Sequence, residues 1–449
     1  MSRSSGTYAL VSLGCPKNLV DSERMAGLLR GRGYRLVDEP AGADFVVVNT
    51  CGFIDQARDE SLGVVEEMAQ LKREGQIRGL IVTGCLAQRD REKLLAAFPE
   101  IDQLLGVFAR DEISTAADRL AEGMEPAACF RAAPAPPLVD TGRLRLTPPH
   151  LAFLKISEGC NRRCSFCTIP GIRGPYASKP IEQVVAEAEE LAAEGTRELV
   201  VIAQDTSYYG VDLYGEPRLA EVLQRLAEVE GIAWIRPMYL YPTHMTDHLI
   251  DVLAAGGKVV PYLDIPLQHI NDDVLRRMRR GTTRVEIERL IDRLRERIDD
   301  LVLRTTLIVG FPGETESQSR ELEDFVRRVR FERLGVFAYR NEPGTHAATL
   351  DGQLPEEIKT LRRDRLMALQ QKIAFDWAEQ QIGRTLDVLI DRDIPGEKHA
   401  WLGRTYADAP EVDALVYVTG EKLVAGDIVP CEVVARQGYD LIAVGADRP

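Results

Sequence analysis

Three cysteines, Cys160, Cys164 and Cys167, stand in the string EGCNRRCSFCTIP. Their C-x3-C-x2-C spacing puts three soft sulfur donors within eight residues, enough to wrap one corner of a metal cluster. Thiolates of this kind favour zinc or iron–sulfur sites. A structural zinc site closes its tetrahedron with a fourth Cys or His, and none lies nearby in sequence. Three thiolates on a four-iron cluster leave one iron open, which is what chelating a small molecule requires.

Three more cysteines are dispersed: Cys15 in SLGCPKN, Cys51 in VNTCGF and Cys85 in VTGCLAQ. Each follows an apolar, strand-like run and precedes a helical pattern. Ligands of open α/β sheets gather at the carboxyl ends of the strands, so three neighbouring parallel strands would bring these thiols together. Gly14, Gly52 and Gly84 adjoin them, and glycine permits a sharp turn and a close approach. The helix N-termini that follow would favour the negative charge of a thiolate-ligated cluster. Three buried core cysteines are the alternative; repetition at one topological position argues for ligation. Cys129 and Cys431 have no such company and are read as structural.

The elements that must position these residues follow a regular plan. Strands near 8–12, 44–49, 79–83 and 101–107 alternate with helices near 18–32, 54–72 and 89–98 and a last one reaching about residue 121. Unbroken apolar strands separated by helices predict a parallel sheet covered on both faces. Residues 125–150 hold six prolines and little periodicity, predicting an extended linker. Six further strands are expected near 151–156, 198–203, 234–240, 262–265, 302–309 and 334–338. They predict a full or partial (β/α) barrel with its site at the strand ends. A charged helix over 355–381 leads to short strands split by Gly, Pro and Asp, the pattern of a small antiparallel β-barrel. The expected domains are 1–124, a linker 125–149, a barrel 150–354, a connecting helix 355–381 and a last module 382–449.

Composition narrows the function. The 449 residues carry 56 Lys+Arg against 70 Asp+Glu, a net charge of −14, which excludes a generally basic nucleic-acid coat. No apolar run reaches the roughly 20 residues of a membrane span, and the N-terminus lacks a signal-peptide core. Eight cysteines are too few for a disulfide scaffold. A cytoplasmic chain is expected, and nothing points beyond a monomer.

Together these motifs resemble the radical S-adenosylmethionine (SAM) methylthiotransferase family over nearly the whole chain. Phe166 before the last cysteine matches, as do IPGIRGPYASKP, PLQHIND, MRRGTTR and LIVGFPGET. The resemblance implies an N-terminal domain with an auxiliary [4Fe–4S] cluster on Cys15, Cys51 and Cys85. It implies a radical SAM barrel whose cluster sits on Cys160, Cys164 and Cys167, and a C-terminal TRAM module. It implies two SAM molecules. One methylates a sulfur held on the auxiliary cluster. The other is reductively cleaved, and the 5′-deoxyadenosyl radical so formed opens a C–H bond to methylthio transfer. An electron donor such as flavodoxin or ferredoxin is implied as well.

Two branches of that family differ in substrate, one modifying a tRNA adenosine and the other the β-carbon of an aspartate in small-subunit ribosomal protein S-twelve. The string ADAPEVD, residues 407–413, resembles the ribosomal-protein branch. Residues 382–449 hold twelve Asp+Glu and seven Lys+Arg, a charge that repels phosphates and suits a basic protein partner. The ribosomal-protein branch is therefore the expected one, no direct tRNA substrate is expected with it, and the tRNA branch is the runner-up. A non-catalytic iron–sulfur scaffold for ribosome assembly is the competing class.

No catalytic residue is expected beyond the cluster ligands. Phe166, Gln204, Asp205, Arg236, Gln268 and Arg304 are the candidates for holding SAM, most of them polar residues on or after barrel strands. His269 and the 310–314 turn are further possibilities. Arg173, after the cluster loop, could orient a substrate or SAM carboxylate, with a purely structural loop arginine as the equal alternative. Arg276, Arg277, Arg279, Arg280 and Arg284 read as helix-end arginines. His244 and His248 at i, i+4 read as the first turn of a helix capped by Thr243, with a shared metal as the alternative. One position departs from the family: Arg340 follows Tyr339 where a serine is common, so no role is carried over to it.

Overall fold

The computed structural model describes residues 6–53, 55–135 and 137–445. The N-terminal sheet is wholly parallel. Its strands run side by side in the order Arg35–Leu36, Thr7–Ser12, Phe45–Thr50, Gly79–Gly84, Gln103–Leu105 and Ala127–Cys129. The three strands that precede the dispersed cysteines are immediate neighbours. Helices Pro16–Gly31 and Asp55–Arg73 cover the sheet, burying Phe45–Val48 and Leu80–Val82 between two apolar layers. The expected start of the second helix at Ile54 lies outside the described residues. The helix expected over 89–98 is two short ones, Cys85–Asp90 and Glu92–Ala97, broken at Arg91 with φ +46°.

The proline-rich segment is not a loose tether. Ala127–Cys129 forms the last strand of the first sheet. Asp140 and Arg143 are buried between that domain and the barrel. The charges that anchor the segment find partners too distant in sequence to be anticipated.

The middle of the chain has two three-stranded parallel sheets. One runs Leu151–Lys155, Glu198–Ile202, Trp234–Pro237, and the other Tyr262–Asp264, Val302–Val309, Arg333–Ala338. A parallel bridge between Ile235 and Val259 links them into one open six-stranded arc. Its interior is filled from two sides. Leu19 and Val20 enter from the N-terminal domain, and Ala407 and Ala409 enter from the last module.

The last module is a closed five-stranded barrel. Neighbouring strands are antiparallel except for Val416–Thr419 against Asp440–Gly445, which run parallel. The small antiparallel barrel expected from the sequence is present, and its single parallel pair follows from closure, because a closed ring with an odd number of strands needs one. Its 406–413 loop seals the barrel floor at the strand starts. Tyr262 Oη donates to Asp413 at 2.5 Å, Arg333 pairs with Asp408 at 2.6 Å, and Arg236 donates to the Tyr406 carbonyl at 2.6 Å. Much of ADAPEVD is therefore internal structure rather than a partner-facing acidic surface. Asp387, Asp393, Glu397, Glu411, Glu421 and Glu432 remain exposed on the module, against exposed Arg392, Lys398 and Lys422.

Candidate functional site

The dispersed cysteines meet at the sheet's carboxyl edge. A Cβ on Gly14 would lie 2.6 Å from Cys51 Cβ and 2.8 Å from its Sγ. One on Gly52 would lie 2.8 Å from Leu86 Cα, and one on Gly84 would lie 2.7 Å from the Thr50 backbone nitrogen. The three cysteine loops interlock: Gly14 and Gly52 each make room for the next cysteine loop, and Gly84 makes room for the end of the preceding strand. Gly84→Ala is expected to cost about 1–3 kcal/mol from its φ of +96° alone, and more from collision with the neighbouring strand. Iron analysis after reconstitution should show less bound iron than the wild type, together with a lowered melting point. The thiols lie within one another's electrostatic reach, and burial pushes Cys51 up and Cys85 up to about 12.

The triplet forms a second nest. Backbone N–H groups of Arg162 and Ile169 point to the sulfurs of Cys160 and Cys167 at 3.4 Å each. Arg280 reaches Cys164 Sγ at 3.4 Å and also donates to the Pro266 carbonyl. Burial raises Cys160 to about 11 and Cys167 to about 12. A cavity of about 510 Å³ opens over Cys164 and Cys167, a volume suited to a small molecule. A larger one, about 650 Å³, lies at the strand starts beside the last module and is lined by Arg304, Arg333 and Asp413 without a cysteine.

Arg173 joins the two sets. It is fully buried. Its Nε approaches Cys85 Sγ at 3.4 Å, and its other nitrogens bond Glu158 and Asp21 at 3.0 Å and Asn18 Oδ1 at 2.5 Å. Asp21 and Asn18 belong to the N-terminal domain, whereas Arg173 and Glu158 flank the triplet. Lys155 also pairs with Asp21 at 2.6 Å and Glu158 at 3.2 Å. Burial alone would raise the Asp21 carboxyl, but Lys155, Arg173 and Arg110 outweigh it and hold it at about 2.

The SAM candidates divide. Gln204 donates to Glu158 at 3.0 Å, yet its Oε1 is buried without a partner. Gln268 sits at φ +73° and its buried Oε1 is also unpartnered. Such orphaned acceptors are costly and fit a bound polar molecule. Phe166 packs with Val274, Met278 and Phe311 behind the triplet. Asp205 is occupied locally: it accepts from Arg162 Nε at 2.7 Å and caps the 206–208 turn. The structure does not bring Arg236 to the triplet. Its nitrogens are taken by Glu198 at 2.8 Å and by carbonyls of the last module. Arg304 reaches Asp264 at 2.8 Å and lies 3.6 Å from Asp413. Both begin their strands' inward faces, so they meet the module that closes the floor.

Other expectations change. Arg280 is buried against Tyr241, not a surface helix-end residue, because the chain turns inward after Arg279 at φ +57°. Arg276 and Arg284 do pair on the surface with Asp273 and with Glu288 and Glu321. His244 belongs to a separate turn and its Nδ1 meets Arg162 at 2.8 Å. The helix begins after Thr246, whose hydroxyl caps Leu249. His269 is buried, and desolvation lowers it to about 3. Among the described residues no three His, Cys, Asp or Glu side chains converge on the position of a single ion. A four-iron cluster takes each thiolate on a separate iron, so its ligands stand further apart. Sulfur donors, N–H groups aimed at them and a cavity beside them fit such a group at the triplet. The donor set fits at the N-terminal trio.

A thiol triplet at the open end of a parallel half-barrel defines a radical SAM protein, and the radical SAM superfamily signature covers residues 154–326. The uncharacterized protein family UPF0004 matches residues 7–106, and the TRAM domain matches residues 382–445. The chain belongs to the ribosomal protein uS12 methylthiotransferase RimO family. It is 48% identical to the RimO of Lachnoclostridium phytofermentans over 96% of this chain and 98% of that one. It is 44% identical to that of Clostridioides difficile over 97% of each. Among solved structures, the radical SAM methyltransferase TsrM of Kitasatospora setae shares the fold at TM-score 0.55 and 17% identity, over 92% of this chain and 79% of that one. No described helix is long and apolar enough to cross a membrane.

Proposed function

We propose that this chain inserts a methylthio group at the β-carbon of an aspartate in ribosomal protein uS12. The observation that carries the reading is the pair of three-cysteine sets joined through buried Arg173, in a chain whose full-length relatives bear that name. Cys160, Cys164 and Cys167 would hold one [4Fe–4S] cluster with an iron open to SAM, and Cys15, Cys51 and Cys85 a second. When bound, the clusters and SAM supply the electron transfer, the radical and the methylthio group.

The chain's own residues supply placement and charge. Arg280 and the N–H groups of Arg162 and Ile169 offset negative charge on the triplet sulfurs. Asp205 and Tyr241 fix Arg162, the ring 3.8 Å from its guanidinium. The unpartnered amide oxygens of Gln204 and Gln268 would hold polar groups of SAM, and the apolar wall behind Phe166 would exclude water there. The exposed acidic side chains of the last module suit a basic ribosomal protein. The expected setting is the cytoplasm, with a small acidic electron carrier as donor and the protein acting as a monomer.

Intact-mass measurement of uS12 from cells with and without this gene tests the reading. The expected result is a gain of one sulfur plus one CH2, dependent on the gene and mapped to one aspartate. Unchanged uS12 with loss of a methylthio-adenosine from tRNA would transfer the activity to tRNA. No change in either would leave a scaffold.

A further inference from the structure

Lys17 is the second residue of the Pro16–Gly31 helix, two past Cys15. Its side chain is 8% exposed, and its ammonium lies 3.3 Å from the centre of the Tyr239 ring. Two effects oppose a cation there. Burial strips its hydration, and the first turn of a helix presents positive partial charge. The ring offsets only part of that, on the order of 2 kcal/mol. No carboxylate of the described residues is recorded within ion-pair distance of it. Asp264 and Glu158, the carboxylates that act on it most strongly, are committed elsewhere. Asp264 accepts from Arg304 and from the Tyr239 N–H, and Glu158 accepts from Arg173, Lys155 and Gln204.

Tyr239 adds an independent sign. It stands at φ +60°, a conformation that bulky residues rarely adopt. Asp264 fixes its N–H at 3.2 Å and the Thr206 N–H fixes its carbonyl at 3.0 Å. The fold thus maintains a strained aromatic beneath an unpaired, buried cation. That pair sits where the N-terminal domain enters the barrel, with Cys15 and Arg173 both within electrostatic range of the ammonium.

We propose that Lys17, seated on Tyr239, is the binding site for a carboxylate, namely the side-chain carboxylate of the residue to be modified. The inference rests on the proposed function and names the group recognised there. The carboxyl carbon is bonded directly to the β-carbon, so fixing the carboxylate fixes the C–H bond that must react. An amide in its place lacks the charge, so the site selects aspartate over asparagine.

The test uses the reconstituted holoenzyme and two forms of recombinant uS12, native and with the mass-mapped aspartate changed to asparagine. The wild type is expected to bind the native form about tenfold to a hundredfold more tightly, the worth of a charge-assisted hydrogen bond. Lys17→Met should erase that preference while binding the asparagine form as the wild type does, and Lys17→Arg should restore part of it. Tyr239→Leu should reduce the preference several-fold and serves if Lys17→Met loses metal. Equal binding of both forms by the wild type overturns the proposal. So does a preference that survives in Lys17→Met, or one undiminished in Tyr239→Leu; the ammonium would then serve only to balance cluster charge. Wild type that methylthiolates uS12 yet binds both forms equally overturns the carboxylate site alone. Wild type that never modifies uS12 overturns the function as well.

Discussion

Replacing Cys160, Cys164 and Cys167 together by serine is expected to abolish SAM cleavage and product formation, a fall of at least about a thousandfold, below detection in most assays. Serine is nearly the same size but its oxygen is a poor ligand for iron compared with thiolate. The N-terminal trio lies on a separate sheet, on loops held by their own glycine contacts, so its metal should remain. Iron content of the reconstituted variant should fall by about half rather than to zero. The converse variant, serine at Cys15, Cys51 and Cys85, should still cleave SAM but deliver no methylthio group. Methylthio product from the first variant would remove the triplet from the chemistry. Complete iron loss from it would mean that the two sets do not assemble independently.

Arg173→Met is the second large effect. The side chain is close in length but leaves Asp21 and Glu158 short of a cation and Asn18 without its donor. Breaking a buried ion pair by deleting one partner costs about 3–5 kcal/mol, which corresponds to a fall of roughly 5–15 °C in the melting point of the unit it joins. Arg173→Lys keeps the charge but lacks the donors to serve four partners and should fall between. The same network sets an acid limit. Asp21 is held at about 2 against an ordinary 3.8, a depressed value. Its contribution is full above about 3.8 and drains away as the pH falls toward about 2. Unfolding of Arg173→Met at the wild-type temperature would show that the network does not join the domains.

These two cases mark what could be read from the residues. The two groupings of cysteines were legible because each announces itself locally: the triplet by spacing, the dispersed trio by a strand before and a helix after. The parallel sheets were legible for the same reason. What joins the donors was not. Arg173, Asp21 and Glu158 are separated by up to about 150 positions, and nothing near any one of them indicates the others. Arg280 looked like a helix-end cation because the turn that carries it inward depends on Arg279 adopting a left-handed conformation. Arg236 and Arg304 lie on the right strands, but a strand's start and end differ by only a few residues, and their partners belong to the last module. Lys17 carries no local sign, because a lysine two residues after a cysteine is ordinary until its burial is seen.

The loop at 406–413 has a consequence for how such proteins can diversify. Its alanines fill the barrel floor, and its aspartates are claimed by Tyr262, Arg304 and Arg333. The last module is therefore not an interchangeable attachment. A chimera that exchanged residues 382–445 for a module lacking these alanines and aspartates would open a hole beneath the barrel and strand Tyr262, Arg304 and Arg333 there. An exchange that keeps the floor closed must carry the loop and its sockets together, which ties the last module and the barrel into one unit for any recombination of domains.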